Sequence, residues 1–399
     1  MAQSAHSKIG VATATIIGMN AMIGSGIFSA PAAMASYVGP AGIIAYLFVV
    51  VSIWFMALSL ARLAALFPEE GSFYTYTKQW GGHFIGMVAG VAYFIGLLVA
   101  MGLLAQMAGI YLHTFFPTIE TQTLGIAVLG MLVLLNLFGV VLSEIGQQIL
   151  ICTTLFPLIV TTIMCLSKAS LSNLTPFAPY GFGNIFKATR LVIFGFFGFE
   201  CAASLFRVVE NPAKNVPRAL TYSIIIVGAV YILFVASLIL SVPLDYFADP
   251  RAPLTDTLHL LFPNSPWIIT TVHVAILSAI VGTVHSMIWS SSELLVSLTK
   301  KMKSGLPRTI VCTQRAAVII VGLCIFFTCI ALKNIDLFFS ITATCIVGAY
   351  MLSMITLLTM KSEWESGQNT KTIIGLVTAS MILYFAAEGI VTEIAKLIY

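Results

Sequence analysis

The chain has 399 residues, of which 59% are hydrophobic and only 9% charged, with a formal net charge of +4. Soluble domains carry roughly 25% charged residues, so a soluble globular fold is excluded. The small, scattered positive charge argues against a nucleic acid partner, and apolar runs of about 20 residues along the whole sequence predict one all-α, polytopic membrane domain over 1–399.

The opening segment Met1 to Lys8 is short and polar. The apolar run after it is too long for a signal-peptide core and lacks a small-residue cleavage pattern, so it reads as the first span. Apolar length, turn residues and charges predict about eleven spans, at roughly 9–37, 40–67, 82–112, 121–141, 145–167, 186–208, 217–242, 266–298, 309–331, 335–360 and 371–392. With the N-terminus in the cytoplasm, thirteen basic residues face inward and six outward, together all 19 Lys and Arg. That excess predicts a cytoplasmic N-terminus for a multi-pass protein of the cell inner (plasma) membrane.

Trp80, Trp267 and Trp364 sit near span ends as headgroup anchors. The segment Glu69 to Trp80 mixes charge with Phe73, Tyr74 and Tyr76, which predicts a short helix along the cytoplasmic interface. The polar, proline-rich stretch Val242 to Pro266 reads as an external loop with lid character.

Grouped in fives, the spans acquire meaning. The first carries Gly24-Ser25-Gly26 at its middle and the sixth carries Gly195 to Glu200. Because five is odd, the second group runs through the membrane with inverted topology, the pattern of paired inverted repeats whose discontinuous first helices meet at the midplane. The repeats fall at 9–167 and 186–360, with a C-terminal helix in 371–399. Glycine-rich faces also serve close helix packing, so glycine placement alone leaves that reading open.

A break in a membrane helix leaves N–H and C=O groups unpaired, which hydrocarbon does not tolerate, so a break implies protein, water or a ligand to satisfy them. The half-helix starting at Gly26 presents N–H groups at a positive dipole end, suited to a carboxylate. The half-helix before it ends in carbonyls around Met22 and Ile23, suited to an ammonium, and Ser25 adds a hydroxyl. Pro31 lies within the second half-helix.

Glu200 is an acid inside a span, flanked by Phe199 and Cys201. A carboxyl there is costly enough to mark function, as a proton carrier or a cation partner; the competing reading is a structural acid bonded to the backbone ends of the break. Phe194, Phe196, Phe197 and Phe199 read as packing, with some facing the ligand as lids. Tyr93, Asn136, Glu144, His273, His285, Trp289, Glu293 and Glu388 are weaker signals that structural partners could satisfy. His273 and His285 lie about 120° and about 18 Å apart on a helix, which is no metal pair. Ser290, Ser291 and Ser292 are expected to bond carbonyls of their own helix. The seven cysteines show no CxxC pair and read as buried hydrophobes. Metalloprotease, P-loop and nucleophile-elbow motifs are missing from the sequence, so neither enzyme chemistry nor a cofactor is expected.

The stretch Gly18 to Phe28, followed by Pro31, resembles the first-helix signature of the amino acid, polyamine and organocation transporter superfamily. Three further stretches agree in order. Pro68 to Tyr76 is similar to the loop after helix two, Phe196 to Glu200 with Glu210 to Arg218 to helix six and its exit, and Ser290 to Leu295 with Gly305 to Arg308 to the end of helix eight. The resemblance implies the leucine-transporter fold, two inverted five-helix repeats plus about one extra C-terminal helix, and alternating access. By position it places a substrate carboxylate near Ser25 and Gly26, and an amine near the carbonyls of Met22, Ile23, Phe194 and Phe197, with Gly24 and Gly195 at the breaks. It makes Phe194 an aromatic lid, Glu200 the helix-six acid that responds to protons in some members, and Tyr93 a helix-three aromatic of the site. Three departures stand out: about eleven spans rather than twelve, Glu293 where arginine is common, and a fifth helix without the lysine that some proton-coupled members use.

These readings predict a secondary transporter of an amino acid or related amine, with exchange slightly favoured over proton symport. The expected partners are that small molecule, membrane lipid and, as an option, a second copy of the chain in a homodimer. A membrane amino-acid sensor that does not transport is the alternative, and an intramembrane enzyme is disfavoured by its missing motifs.

Overall fold

The computed structural model describes residues 8–24, 26–67, 72–139, 144–200, 209–247, 254–302, 312–360 and 368–398. Among them the regular structure is helical: α1 (Val11–Met22), α2 (Gly26–Val38), α3 (Gly42–Leu66), α4 (Ser72–His113), α5 (Thr121–Leu137), α6 (Glu144–Leu166), α7 (Gly183–Phe194), α8 (Pro212–Ser241), α9 (Leu254–Leu261), α10 (Pro266–Met302), α11 (Gln314–Ala331), α12 (Ile335–Thr359) and α13 (Gln368–Ile398). Eight segments among the described residues are long and apolar enough to cross a bilayer. Large apolar side chains face outward as well as inward, as a lipid environment allows: Phe84, Phe156 and Phe327 stand 77, 66 and 73% exposed on the outside of the bundle.

α1 and α2 have 12 and 13 residues, about 18–20 Å each at 1.5 Å per residue. Neither alone crosses a hydrocarbon core of about 30 Å, so the pair replaces one span. α7 is equally short, at 12 residues. Its expected continuation through Cys201 lies at 201–208, outside the described residues.

α2 packs on α7, α1 on α8 and α6, and α4 fills the space between α12 and α10. Hydroxyls buried in this bundle pair mostly along their own helices. Ser52 donates to the Phe48 carbonyl, Ser237 to Phe234 and Ser241 to Ser237, each at 2.7 Å, the cheapest way to bury a hydroxyl in a helix. Ser292 follows the expectation and donates to the Trp289 carbonyl at 2.7 Å.

The helix predicted along the cytoplasmic interface is instead the first part of α4, set off by a kink at Gly82. Phe73, Tyr74 and Tyr76 are 2, 4 and 4% exposed, because their rings bury more apolar area inside the bundle than at a headgroup layer. Trp80 is likewise tied inward, its indole N–H donating to the Leu352 carbonyl at 2.8 Å. Trp364 lies outside the described residues, whereas Trp267 is exposed as expected of an anchor. In the predicted lid loop, a 3-10 turn (Leu244–Phe247) and α9 are described, with 248–253 outside the described residues.

Candidate functional site

The first break forms where α1 ends at Met22. Ile23 leaves the helical region, and the Gly24 N–H turns back onto the Met22 carbonyl at 2.9 Å. α2 then starts at Gly26, so its first-turn N–H groups have no earlier helical carbonyl to bond. Ser25 lies outside the described residues.

The second break follows α7. After Phe194 the chain tightens into three-residue turns, with Gly195, Phe196 and Phe197 N–H groups bonding the carbonyls of Val192, Ile193 and Phe194 at 3.1, 3.0 and 3.4 Å. Gly198 follows with φ of 110°.

The two breaks touch. A Cβ on Gly26 would stand 2.7 Å from the Gly195 Cα and 3.3 Å from the Phe194 ring. On the other side, a Cβ on Gly198 would collide with the carbonyl of Ala21. Gly198 is therefore required twice over, by its positive φ and by the backbone it faces. The glycines of both breaks thus serve one junction, where two chain segments pass within backbone contact.

Glu200 is buried just past this junction, 6% exposed. Its Oε2 accepts the Gly198 N–H at 3.0 Å, and its Oε1 accepts the Tyr93 hydroxyl of α4 at 2.8 Å. Tyr350 on α12 brings a further hydroxyl to the same carboxyl. Phe73 stacks at 4.2 Å from the Tyr93 ring and 5.6 Å from the Tyr350 ring, and Phe197 and Phe199 approach Tyr350 at 6.4 and 5.3 Å. The carboxyl thus sits in an aromatic cage, hydrogen-bonded to Gly198 and Tyr93, with the Tyr350 hydroxyl beside it. These bonds are those of the structural reading of Glu200: it bonds the backbone of the break, and it links the break to α4.

Other predicted residues are placed as follows. Phe194 meets Phe339 of α12 edge-on at 4.9 Å and lies 6.4 Å from Phe197. The Met22 carbonyl, expected to face an ammonium, already accepts the Tyr231 hydroxyl of α8 at 3.1 Å as well as the Gly24 N–H. Asn136 and His285 pair with each other at 3.0 Å, well spaced from the junction in sequence and on α5 and α10. His273 bonds Thr114 at 3.2 Å, and Glu388 pairs with Lys187 at 3.3 Å, so both have structural partners. The side chain of Glu144 lies outside the described residues. α6 contains no lysine, in agreement with the sequence. No group of three or more His, Cys, Asp or Glu could hold a metal among the described residues.

Sequence reasoning missed Tyr231, Tyr350 and the neighbour of Gly24 on α10, Thr283. Each is a single polar side chain inside an apolar run, with no spacing signal to separate it from packing.

A second polar cluster ties α2, α7, α12 and α13 at the far end of the half-helices. The Tyr37 hydroxyl donates to Asp336 Oδ2 at 2.7 Å, Arg190 lies 3.9 Å from Asp336 Oδ1, and Asn334 donates to Glu393 at 2.6 Å. At the opposite end Ile9 pairs with Val209, and Lys301 of α10 donates to Thr75 of α4 at 2.7 Å while lying over the Tyr74 ring.

Two helix breaks in backbone contact, set among long apolar helices, describe a multi-pass membrane protein of the leucine-transporter fold. The crystal structure of an Eremococcus coleocola manganese transporter matches with a TM-score of 0.62, covering 97% of this chain and 87% of that one at 12% identity. The amino acid permease family model matches residues 9–393, so the chain belongs to the amino acid permease family, a family of transporters and not of enzymes. Among curated relatives, the Bacillus subtilis branched-chain amino acid permease BcaP is 24% identical over 75% of this chain and 68% of its own length. The Bacillus subtilis glutamate/serine transporter AimA is 25% identical over 96% of this chain and 78% of its own. The Escherichia coli lysine-specific permease LysP is 26% identical over 78% and 69%.

Proposed function

We propose that this chain carries an amino acid or a related amine across the cell inner membrane as a secondary transporter working by alternating access. The observation that carries the reading is the junction itself. A half-helix N-terminus at Gly26 and the turn at Phe194 to Phe197 meet at backbone contact, beside a carboxyl held between the break and α4. Relatives named for branched-chain amino acids, glutamate/serine and lysine support an amino acid ligand while leaving the side chain open.

In this reading the carboxylate of the ligand meets the first-turn N–H groups of α2 around Ser25 and Gly26. Its ammonium meets carbonyls at Ile23, Phe194 and Phe197, with Met22 contributing after exchange with Tyr231. Phe194 lids the site, and Tyr93 acts through Glu200 as part of the closure on one side. The repeats are 9–167 and 186–360, the N-terminus is cytoplasmic, and the chain works alone or as a homodimer.

Exchange is favoured over proton symport, because among the described residues the junction has no acid besides Glu200, and α6 offers no lysine. Counterflow in proteoliposomes tests this. Uptake driven only by amino acid on the opposite side is expected. Uptake driven by a pH gradient alone would overturn exchange, and amino-acid-induced thermal stabilisation without any counterflow would overturn transport in favour of a sensor.

A further inference from the structure

Thr283 lies near the midpoint of α10, 5% exposed, with its side chain against the first break. A Cβ on Gly24 would stand 3.2 Å from its Oγ1 and 3.6 Å from its Cγ2. The hydroxyl therefore points into the space that the missing side chain of Gly24 leaves open. Among the described residues this buried Oγ1 has no hydrogen-bond partner.

Most buried hydroxyls of the bundle behave otherwise. Ser52, Ser237, Ser241 and Thr356 each donate to a carbonyl, three of them on their own helices. Within α10 itself, Ser292 and Thr299 do the same, with the Trp289 and Val296 carbonyls. Tyr46, Thr255, Ser291, Ser340, Thr342 and Thr344 share the lack of a partner, but the hydroxyl that borders a glycine of either break is that of Thr283. Thr283 had the option of its own helix, and its rotamer forgoes it. Leaving a buried hydroxyl unpaired costs stability, and a valine of the same shape would remove the cost. A residue kept at such a cost, aimed at a helix break, has its partner elsewhere.

We propose that the Thr283 hydroxyl donates a hydrogen bond to the carboxylate of the bound amino acid, completing from α10 the cradle formed by the α2 N-terminus. The inference rests on the break being the ligand site. Its position fixes which part of the ligand it meets. Gly24 lies just ahead of the half-helix whose free N–H groups face a carboxylate, so the hydroxyl adds one donor to that set. It reads the common head of every amino acid and is blind to the side chain.

The test is Thr283→Val in the full-length purified transporter, with binding of L-alanine, L-leucine, L-serine, L-glutamate and L-lysine followed by thermal shift and by competition in counterflow. Loss of one charge-assisted hydrogen bond weakens affinity by roughly 10- to 100-fold. The expected result is that same factor for every amino acid that binds the wild type, rescue by Thr283→Ser, and a ligand-free melting temperature equal to or above wild type. Three results would overturn the inference: unchanged affinities, a loss confined to ligands with polar side chains, or a lowered ligand-free melting temperature, which would reveal a structural partner. Thr283→Ala repeats the affinity measurement if valine does not fold. A wild type that binds none of the five overturns the proposed function itself, a failure visible before any variant is made.

Discussion

Glu200→Gln separates the hydrogen bonds the carboxyl makes from the proton-carrier role expected of it. Two donors converge on it, the Gly198 N–H on Oε2 and the Tyr93 hydroxyl on Oε1. The backbone N–H can only donate, so Oε2 must stay an acceptor in every state. The phenol can donate or accept, so Oε1 can carry a proton without losing its neighbour. A glutamine fits the protonated arrangement: its oxygen takes the Gly198 N–H, and its amide N–H donates to Tyr93. The fold is then expected to lose less than about 1 kcal/mol. Glu200→Ala instead strands both donors in a buried site, at about 1–3 kcal/mol each, or roughly 2–6 kcal/mol in all. The expected pair of results is a melting temperature near wild type for glutamine and clearly lowered for alanine. Transport by the glutamine variant, measured in proteoliposomes across pH 5 to 8, is expected to be abolished or to lose its pH dependence. A wild-type pH profile in the glutamine variant would refute the proton-carrier role, and equal melting temperatures for both variants would refute the hydrogen-bond account.

Gly26→Ala should disrupt the junction whereas Gly195→Ala should spare the fold: a Cβ on Gly26 meets the Gly195 backbone at 2.7 Å, but one on Gly195 meets nothing closer than 3.5 Å. Overpacking costs about 1–3 kcal/mol, so the Gly26 variant is expected to melt lower and to lose amino-acid-induced stabilisation, as Gly26→Leu should more severely. Equal melting of the two alanine variants would count against backbone contact between the breaks. Tyr37→Phe removes the 2.7 Å bond to Asp336, worth about 1.5–3 kcal/mol when the acceptor is charged. In a cysteine-free background, labelling of Ala35→Cys by a membrane-impermeant maleimide is then expected to rise at least about tenfold, and an unchanged rate would show that this bond does not restrain α2.

The fold was legible because its signal is coarse. Apolar length marks spans, and the glycines at 24, 26, 195 and 198 mark places where a helix cannot continue undisturbed. The structure adds what those glycines do together: Gly26 faces Gly195, and Gly198 faces Ala21, contacts between residues about 170 apart in sequence that no local pattern encodes. The site was legible in part. Glu200 stood out because a carboxyl in an apolar run is expensive, but its partners Tyr93 and Tyr350 are amphipathic and sit as comfortably in packing. Thr283 gave no signal at all. Membrane threonines are common and usually satisfied by their own helix, so only its failure to do so, a property of the folded bundle, sets it apart. The misplaced helix at 69–80 has the same origin. Alternating charge and aromatic rings suits an interface, yet the rings of Phe73, Tyr74 and Tyr76 find more buried area against α12 and α10.

That inward turn of α4 bears on how the junction could open. Phe73 packs at a tilt on both tyrosines that reach Glu200, so the first part of α4 is joined to the second break. Lys301 holds the same segment from α10 through Thr75. At the other end of the bundle, Tyr37 and Arg190 bring the half-helices α2 and α7 onto one carboxylate of α12. The two connections use different bonds and share α12, so neither bond set depends on the other. α12 takes part in both, through Asp336 at one end and Tyr350 near the middle.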